Sequence, residues 1–229
     1  MAATLDTLDF RDSRALNRQL VTALADSLDL PAYPLRRAEP GQTLAPSASR
    51  LPSLPLVVTG SIDAVIHVGT QGNMVIPISF EVGELGMVST LFSGQPSHAG
   101  LVAGPDLSLR WIPVPDIEQG LLQNRERLVL LVRFLAQRLR EVQLRERNWL
   151  ERGVTERVCA TLARSMRDAP RRADGSCRLE TTHEHLAARC GVSRPKLSME
   201  LKRLEQSGLL VLRRGTIEIL QPEHFSPLD

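Results

Sequence analysis

Cationic and hydroxyl side chains suited to binding a polyanion stand at two places in the C-terminal third of the chain. Ser193 is followed by Arg194 and, two residues later, by Lys196. A guanidinium group can donate two parallel hydrogen bonds to O6 and N7 of guanine, whereas hydroxyl and ammonium groups suit phosphate oxygens. Arg213-Arg214 forms a second cationic pair further along the chain. The chemistry that these residues favour is contact with DNA.

Two short helices joined by a tight turn are predicted to position Arg194. Thr181 and Glu184 form a capping box, which predicts that a first helix begins there and runs through Arg189. Cys190-Gly191-Val192 supplies the turn, and Ser193 then caps a second helix, Arg194 to Gln206. This order is typical of a helix-turn-helix, whose second helix enters the major groove with its N-terminal residues.

A β-hairpin is predicted directly after the second helix. Leu209 to Leu212 and Thr216 to Leu220 are apolar, β-branched runs on either side of Arg213-Arg214-Gly215. Such a hairpin carries its two guanidinium groups at the tip, where they can reach phosphates beside the groove. Double-stranded DNA is therefore the predicted partner. The predicted DNA-contacting residues are Thr182, His183, Ser193, Arg194, Pro195, Lys196, Ser198, Met199, Lys202, Arg213 and Arg214.

An apolar stripe predicts a long helix that pairs with another helix. Its members recur every seven residues and are Leu121, Leu128, Leu135, Val142 and Trp149, with Val132 and Leu139 in the adjacent seam. A stripe sustained over about four heptads favours a coiled coil, and a second copy of the chain is the simplest partner. The alternative is a helix packed along its own domain. The predicted dimer interface consists of Leu121, Leu128, Val132, Leu135, Leu139 and Val142.

The N-terminal half is predicted to combine one helix with a β domain. Apolar residues at a spacing of four, Leu16, Leu20, Leu24 and Leu28, indicate an amphipathic helix that ends before Pro31. The proline-rich residues 31–55 predict loops, turns and short edge strands. Short β runs at 56–58, 62–68, 74–80, 98–103 and 107–114 follow, with turns at Thr59-Gly60-Ser61 and Thr70-Gln71-Gly72-Asn73. This spacing predicts an antiparallel roll or sandwich over residues 31–115.

The C-terminal segment resembles the winged helix-turn-helix of the Crp/Fnr superfamily, the relatives of the cyclic-AMP receptor protein. The matching runs are His185-Leu186-Ala187, Gly191-Val192-Ser193-Arg194, Leu201-Lys202-Arg203-Leu204-Glu205, Gly208-Leu209-Leu210 and Gly215-Thr216-Ile217. A looser N-terminal match rests on Thr59-Gly60-Ser61-Ile62 and Gly83-Glu84-Leu85-Gly86.

The resemblance implies an α+β chain in three parts. Residues 1–115 would form an N-terminal helix and an antiparallel β-roll sensor, a jelly roll like a cyclic-nucleotide-binding domain. Residues 116–150 would form a long dimerisation helix, and residues 151–229 a winged helix-turn-helix. The resemblance also implies a homodimeric bacterial regulator that binds a near-palindromic promoter site, with RNA polymerase as a further candidate partner.

The DNA-reading positions match the superfamily only in part. Arg194 matches its groove-facing arginine, and Ser193 matches a phosphate contact. Pro195 stands where glutamate is frequent, and Met199 stands where a later arginine is usual, so that Lys196 and Ser198 are left to compensate. We therefore expect a recognition sequence that differs from that of the cyclic-AMP receptor protein.

The sensor positions depart further from those of cyclic-nucleotide binders. By resemblance the effector pocket would comprise Gly83, Glu84, Gly86, Met87, Ser97 and His98. Cyclic-nucleotide binders add an arginine for the phosphate, but this chain has no Lys or Arg between Met74 and Arg110. A buried phosphate without a cationic partner is costly, which argues against cyclic AMP or cyclic GMP. The effector is either another small molecule or absent.

No cofactor, metal or catalytic chemistry is predicted. The first cysteine is Cys159, which excludes the N-terminal cysteine set of iron–sulfur relatives. His67 and His98 are lone histidines for which a structural or surface role is favoured over haem binding. Cys177, His183, His185 and Cys190 match no common zinc spacing. A protein other than an enzyme is expected, and the alternative to a DNA-binding regulator is a module whose winged helix docks a protein partner.

Composition places the chain among globular proteins. Its 229 residues carry a net charge of +2, are 42% hydrophobic, and include no apolar run long enough to span a membrane. The acidic N-terminal residues do not resemble a secretory signal, and three widely spaced cysteines provide no disulfide framework. We therefore expect a cytoplasmic protein.

Overall fold

The computed structural model describes residues 11–68, 73–151, 153–166, 169, 171–172 and 174–225. The predicted turn residues Thr70, Gln71 and Gly72 and the side chain of Trp149 lie outside that part of the chain. Contacts divide the chain into two compact units, one of Met1–Ile66 with Ile76–Leu144 and one of His67–Val75 with Arg145–Asp229. Within the described residues, no helix is both long and apolar enough to cross a membrane.

The first unit begins with the predicted amphipathic helix, α1 (Arg11–Ala25). Leu20 and Leu24 are buried on its inner face, as their spacing of four requires. The helix ends earlier than predicted, and a 3₁₀ helix at Leu30–Ala32 carries the chain past Pro31. Pro31 lies in the first turn of this 3₁₀ helix, where its missing N–H costs no hydrogen bond.

Antiparallel strands build the β domain in two sheets. The strands are β1 (Leu35–Arg37), β2 (Thr43–Ala45), β3 (Ser53–Thr59), β4 (Ile62–Val68), β5 (Asn73–Phe80), β6 (Gly100–Ala103) and β7 (Ser108–Pro113). One sheet has the order β1-β7-β3 and the other β2-β6-β4-β5. The core between them includes the fully buried Leu54, Ile62, Leu101 and Leu109. The predicted antiparallel roll is confirmed.

The predicted single helix over residues 116–150 is wrong, because the chain forms two helices there. These are α2 (Val114–Leu122) and α3 (Arg125–Glu151). The side chain of Asn124 accepts a hydrogen bond from the backbone N–H of Glu126 at 2.7 Å, which provides the start of a new helix. Arg127 fixes the junction, since its Nη1 donates to the carbonyl of Gly120 at 2.9 Å. The heptad pattern runs across this break and does not reveal it.

The second unit contains α4 (Val154–Met166), β8 (Cys177–Glu180), α5 (His183–Cys190), α6 (Arg194–Gln206), β9 (Leu210–Arg213) and β10 (Thr216–Ile219). Its core includes Val158, Leu162, Leu197, Leu201 and Ile217, none more than 1% exposed. The sheet order is β8-β10-β9, so that the predicted hairpin of β9 and β10 gains a third strand. The predicted α+β class, with an N-terminal β-roll and a C-terminal winged helix-turn-helix, is confirmed.

Candidate nucleic-acid interface

The first helix of the pair, α5, is capped one residue later than the sequence predicts. Thr182 is the N-cap, and its hydroxyl accepts a hydrogen bond from the N–H of His185 at 3.1 Å. The capping box of Thr181 and Glu184 is therefore wrong. Thr181 instead donates its N–H to the carbonyl of Gly215 in the wing, at 3.1 Å, which holds it outside the helix.

The predicted turn between the two helices is present and depends on Gly191. This residue lies at φ +63°, in the left-handed region that glycine adopts without a Cβ penalty. The N–H of Val192 donates to the carbonyl of Ala187 at 3.1 Å, which closes the end of α5. The turn thereby directs the chain into α6.

The second helix, α6, has one buried and one exposed face. Leu197, Leu201 and Leu204 are buried at helical spacing. Ser193 occupies the predicted N-cap position, but its hydroxyl makes no capping hydrogen bond among the described residues. The predicted contact residues on the exposed side are Ser193, Arg194, Pro195, Lys196, Met199 and Lys202, all of which are exposed. Cationic groups and one apolar side chain therefore stand at the outer surface of the helix.

His183 and Ser198 connect the start of α5 to the exposed side of α6. His183 Nδ1 lies 3.0 Å from Ser198 Oγ, within hydrogen-bond distance. Both side chains are half-buried, and both were predicted to contact DNA. Thr182, beside them, is exposed.

Glu200 is a buried carboxylate on α6 that the sequence does not reveal as buried. It is 7% exposed, and its Oε1 accepts a hydrogen bond from Arg203 Nη2 at 2.6 Å. The hydrogen bond with Arg203 holds the pKa of the Glu200 carboxyl below its ordinary value, against the opposing effect of burial. A carboxylate at i followed by arginine at i+3 is a recognisable helical pair, but nothing local indicates that Glu200 is buried.

The two arginines of the wing differ in their surroundings. Arg213 ends β9, and its Nε lies 3.5 Å from Glu218 Oε2 on the neighbouring β10. Glu218 is shared, because Arg172 also forms an ion pair with it. Arg214 and Gly215 form the exposed tip, where Gly215 has a φ of +71°. The predicted basic tip is therefore present, with Arg213 partly neutralised.

In the first unit, α1 holds the segment that contains the predicted effector residues. Asn17 Nδ2 donates to the carbonyl of Leu85 at 3.0 Å, and its Oδ1 accepts from the N–H of Leu85 at 2.8 Å. Arg14 lies on the same side, with Nη1 2.5 Å from Glu81 Oε1 and Nε 3.7 Å from Glu84 Oε1. The sequence gives no sign of this contact between Asn17 and Leu85, because residues 68 positions apart leave no local pattern.

Glu84 is buried, and its carboxylate is already engaged. Its Oε2 accepts a hydrogen bond from the N–H of Glu81 at 2.6 Å. Burial raises the pKa of Glu84, although the Arg14 guanidinium and the Glu81 N–H act in the opposite direction. The carboxylate that would bind a ribose hydroxyl in a cyclic-nucleotide pocket thus has partners within the chain.

The other predicted effector residues have local roles or lie at the surface. Ser97 is buried, and its Oγ donates to the carbonyl of Ala99 at 2.8 Å. Met87 is buried in the left-handed region at φ 59°. His98 is exposed, whereas Gly86 is buried against Pro55 and Phe80. A pocket of about 270 Å³ lies elsewhere, lined by Ser27, Leu28, Asp29, Tyr33, Asp116, Gln119, Gly120 and Gln123.

Comparison with known proteins identifies the second unit. Residues 156–227 match the model of the Crp-like helix-turn-helix domain. This match shows a Crp-like helix-turn-helix domain in that segment of the chain. No curated protein sequence matches the chain.

Solved structures of other proteins have the same fold. A CRP/FNR-family transcriptional regulator from Thermus thermophilus is 21% identical, with a TM-score of 0.70 over 84% of this chain and 96% of its own. The c-di-GMP responsive global regulator CLP from Xanthomonas campestris is 20% identical, with a TM-score of 0.74 over 88% and 98%. FixK2 from Bradyrhizobium japonicum is 18% identical, with a TM-score of 0.72 over 86% and 98%.

The residues predicted at the dimer interface divide between a buried and an exposed face of α2 and α3. Leu121 is fully buried in α2, and Leu128 and Leu135 pack against the core of the first unit. Val132 and Leu139, of the adjacent seam, are 63% and 58% exposed. Val142, also predicted at the interface, is half-buried. Leu121, Leu128 and Leu135 therefore face the core of the first unit, whereas Val132 and Leu139 remain exposed, and the heptad repeat contains both of these faces.

The part of the chain that the structure describes offers no set of metal ligands. No three His, Cys, Asp or Glu side chains among the described residues come together as a metal site. Cys177 and Cys190 are buried thiols, and burial raises the pKa of each. Both side chains belong to the apolar core of the second unit, where a free cysteine packs as a small apolar residue.

Proposed function

We propose that this protein is a homodimeric transcription regulator that binds a near-palindromic DNA site and does so without a cyclic nucleotide. The exposed, cationic N-terminal turn of α6 carries the proposal. It stands at the place from which a recognition helix reads base edges. Two copies would place these helices in successive major grooves, about 34 Å apart.

The side chains of the helix-turn-helix divide into two roles in this proposal. Arg194 is exposed at the first position of α6 and would read a guanine through O6 and N7. Ser193, Lys196, Arg213 and Arg214 would contact phosphates and provide most of the salt-dependent affinity. The half-buried pair of His183 and Ser198 would support the base-reading side of α6.

The proposed dimer forms through the exposed apolar side of α3. Val129, Val132, Ala136 and Leu139 follow one another at intervals of three, four and three residues, and all are exposed. This is the spacing of a coiled-coil seam, and an apolar seam in water favours a partner that covers it. A second copy of α3 supplies a matching surface by twofold symmetry.

Independence from a cyclic nucleotide rests on the environment of Glu84. Its carboxylate is buried and bound within the chain by Glu81 and Arg14. With no Lys or Arg between Met74 and Arg110, the segment also lacks the cation that a cyclic phosphate requires. The regulator would therefore respond to a different molecule or act without one.

Selection from a randomised DNA library tests the proposal. The full chain is incubated with the library at about 0.15 M salt, where electrostatic binding alone is weak. Parallel selections contain cyclic AMP, cyclic GMP or c-di-GMP, the last because CLP of Xanthomonas campestris responds to it. We expect one palindromic consensus in every selection. A consensus that needs a nucleotide would overturn the effector assignment, and no consensus in any selection would overturn DNA recognition itself.

A further inference from the structure

The most exposed large apolar side chain of the described residues lies on the DNA-reading helix. Met199 is 70% exposed, more than any other large apolar residue in that part of the chain. It lies on the side of α6 opposite the buried Leu197 and Leu201. None of the other exposed large apolar residues among those described lies on this helix. The thioether of Met199 is therefore exposed on α6, and no other described residue of that helix is an exposed large apolar one.

Cationic residues stand on both sides of Met199 along the helix. Lys196 precedes it by three residues and Lys202 follows it by three, which places both on adjacent turns of the same side. Both lysines are exposed. This arrangement would fit a partner surface that has one apolar group with negative charge on both sides of it.

The major groove of DNA offers one apolar group of this kind. Among the four bases only thymine carries a methyl group, at C5, and that methyl projects into the major groove. Phosphates on either side of the groove would meet the lysines. The flexible, polarizable methionine side chain can adapt its contact to the position of the methyl group.

We infer that Met199 is a specificity-determining residue that reads the C5-methyl of a thymine in each half-site. The inference rests on the proposed function and deepens it, because it states which base edge the exposed side of α6 selects. Arg194 selects guanine by hydrogen bonds at the start of the helix. Met199, five residues on and about 7.5 Å further along the axis, adds an apolar requirement for thymine.

Deoxyuridine substitution tests the methyl contact directly. In the operator selected by the wild-type protein, each thymine pair related by the palindrome is replaced in turn by deoxyuridine, which lacks only the methyl group. At one such pair we expect affinity to fall about fourfold for each half-site, the effect of leaving one methyl unburied. The Met199→Ala protein should bind the thymine and uracil operators equally, whereas Met199→Leu should still prefer thymine.

Lys202→Ala is the matched control, since it removes an exposed neighbour on the same side of α6. It should bind both operators more weakly and keep the preference for thymine. Circular dichroism of each variant establishes that α6 is intact. If wild type binds every uracil operator as tightly as the thymine operator, or if Met199→Ala keeps the preference, the inference is wrong. Failure to select any operator would instead refute the proposed function, so that the two failures are distinguishable.

Discussion

Arg157 holds the turn of the helix-turn-helix through the carbonyl of Cys190. The guanidinium of Arg157, on α4, donates to the Cys190 carbonyl from Nη2 at 2.7 Å and from Nε at 3.1 Å. Nη2 also donates to the carbonyl of Gly191. The last carbonyls of a helix have no partner within it, and a cation there also complements the helix dipole. Arg157 thus connects α4 to the point where α5 ends and the chain enters α6.

Arg157→Ala should destabilise the second unit and weaken DNA binding. Hydrogen bonds to a charged group contribute about 1.5–3 kcal/mol, and the truncation leaves the carbonyls of the turn without their donor. We expect a loss of about 2 kcal/mol in urea unfolding of the full chain. The control is Arg164→Ala on the same helix, where Arg164 Nη2 contacts Thr161 Oγ1 at 3.0 Å, within α4. Equal losses in the two variants would contradict a special role for Arg157.

Arg194→Ala should abolish discrimination at one base pair of each half-site. A bidentate contact between arginine and guanine contributes roughly 1–3 kcal/mol of discrimination. Binding to the selected operator and to operators altered at each position, measured at fixed salt, gives this quantity. Lys196→Ala serves as the comparison and should weaken all operators alike, as a phosphate contact does. A variant at Arg194 that bound the operator as tightly as wild type would remove this residue from the proposed base contacts.

The two wing arginines should differ in their effect on salt dependence. Arg214 is exposed at the tip, whereas Arg213 lies 3.5 Å from the carboxylate of Glu218. Arg214→Ala should reduce the slope of log affinity against log salt by about one for each protomer, and Arg213→Ala should reduce it by less. Fluorescence anisotropy over a salt series measures both slopes. The reverse order would mean that Glu218 releases Arg213 when DNA binds.

Local sequence patterns predict α6 well because its determinants lie close together along the chain. Gly191 permits the turn, and the spacing of Leu197, Leu201 and Leu204 fixes the buried face of α6. Partners that are distant along the chain escape such patterns. The strand β8 pairs with β10, whose residues lie about forty positions later in the chain.

A similar limit applies to the heptad repeat and to α1. Periodicity identifies both apolar stripes of the long helical region, but it does not reveal that Leu121 enters the core while Val132 remains exposed. The contact of Asn17 with Leu85 depends on how α1 folds back on the β domain. Only the folded chain contains that information.

Glu84→Gln should stabilise the protein at neutral pH. Burial raises the pKa of Glu84 above its ordinary value of 4.5, so the folded chain loses this proton at higher pH than the unfolded chain does. Stability therefore declines as pH rises from the unfolded pKa through the raised folded pKa. Glutamine stays neutral and keeps an oxygen that can accept from the Glu81 N–H. We expect a higher Tm than wild type at pH 7 and no difference at about pH 4.

The control for that experiment is Glu39→Gln, which removes an exposed carboxylate of the same unit. Glu39→Gln should have the same Tm as wild type at both pH values, because a surface charge contributes little to folding stability. A Glu84→Gln protein that is less stable than wild type at pH 7 would show that the attraction to Arg14 outweighs the cost of burial. The carboxylate would then be a structural anchor for α1.

Charged substitutions on the exposed side of α3 should separate the proposed dimer. Val132 and Leu139 are 63% and 58% exposed and would meet their counterparts in a second copy. Glutamate at both positions places like charges opposite each other across the twofold axis. The substitution therefore removes the apolar contact between the two helices and replaces it with repulsion. Light scattering coupled to gel filtration should then give the mass of one chain, 25.3 kDa, where wild type gives twice that mass.

Leu122→Glu provides a matched control, because Leu122 is also 63% exposed but lies at the end of α2, outside the seam. It should remain dimeric and retain operator binding. The Val132→Glu, Leu139→Glu protein should keep its circular dichroism spectrum but lose most of its operator affinity. Each half-site then binds a separate chain, so that binding at one half-site no longer raises the effective concentration at the other. A dimer that survives this double substitution and dissociates with Leu122→Glu would place the contact on α2 instead.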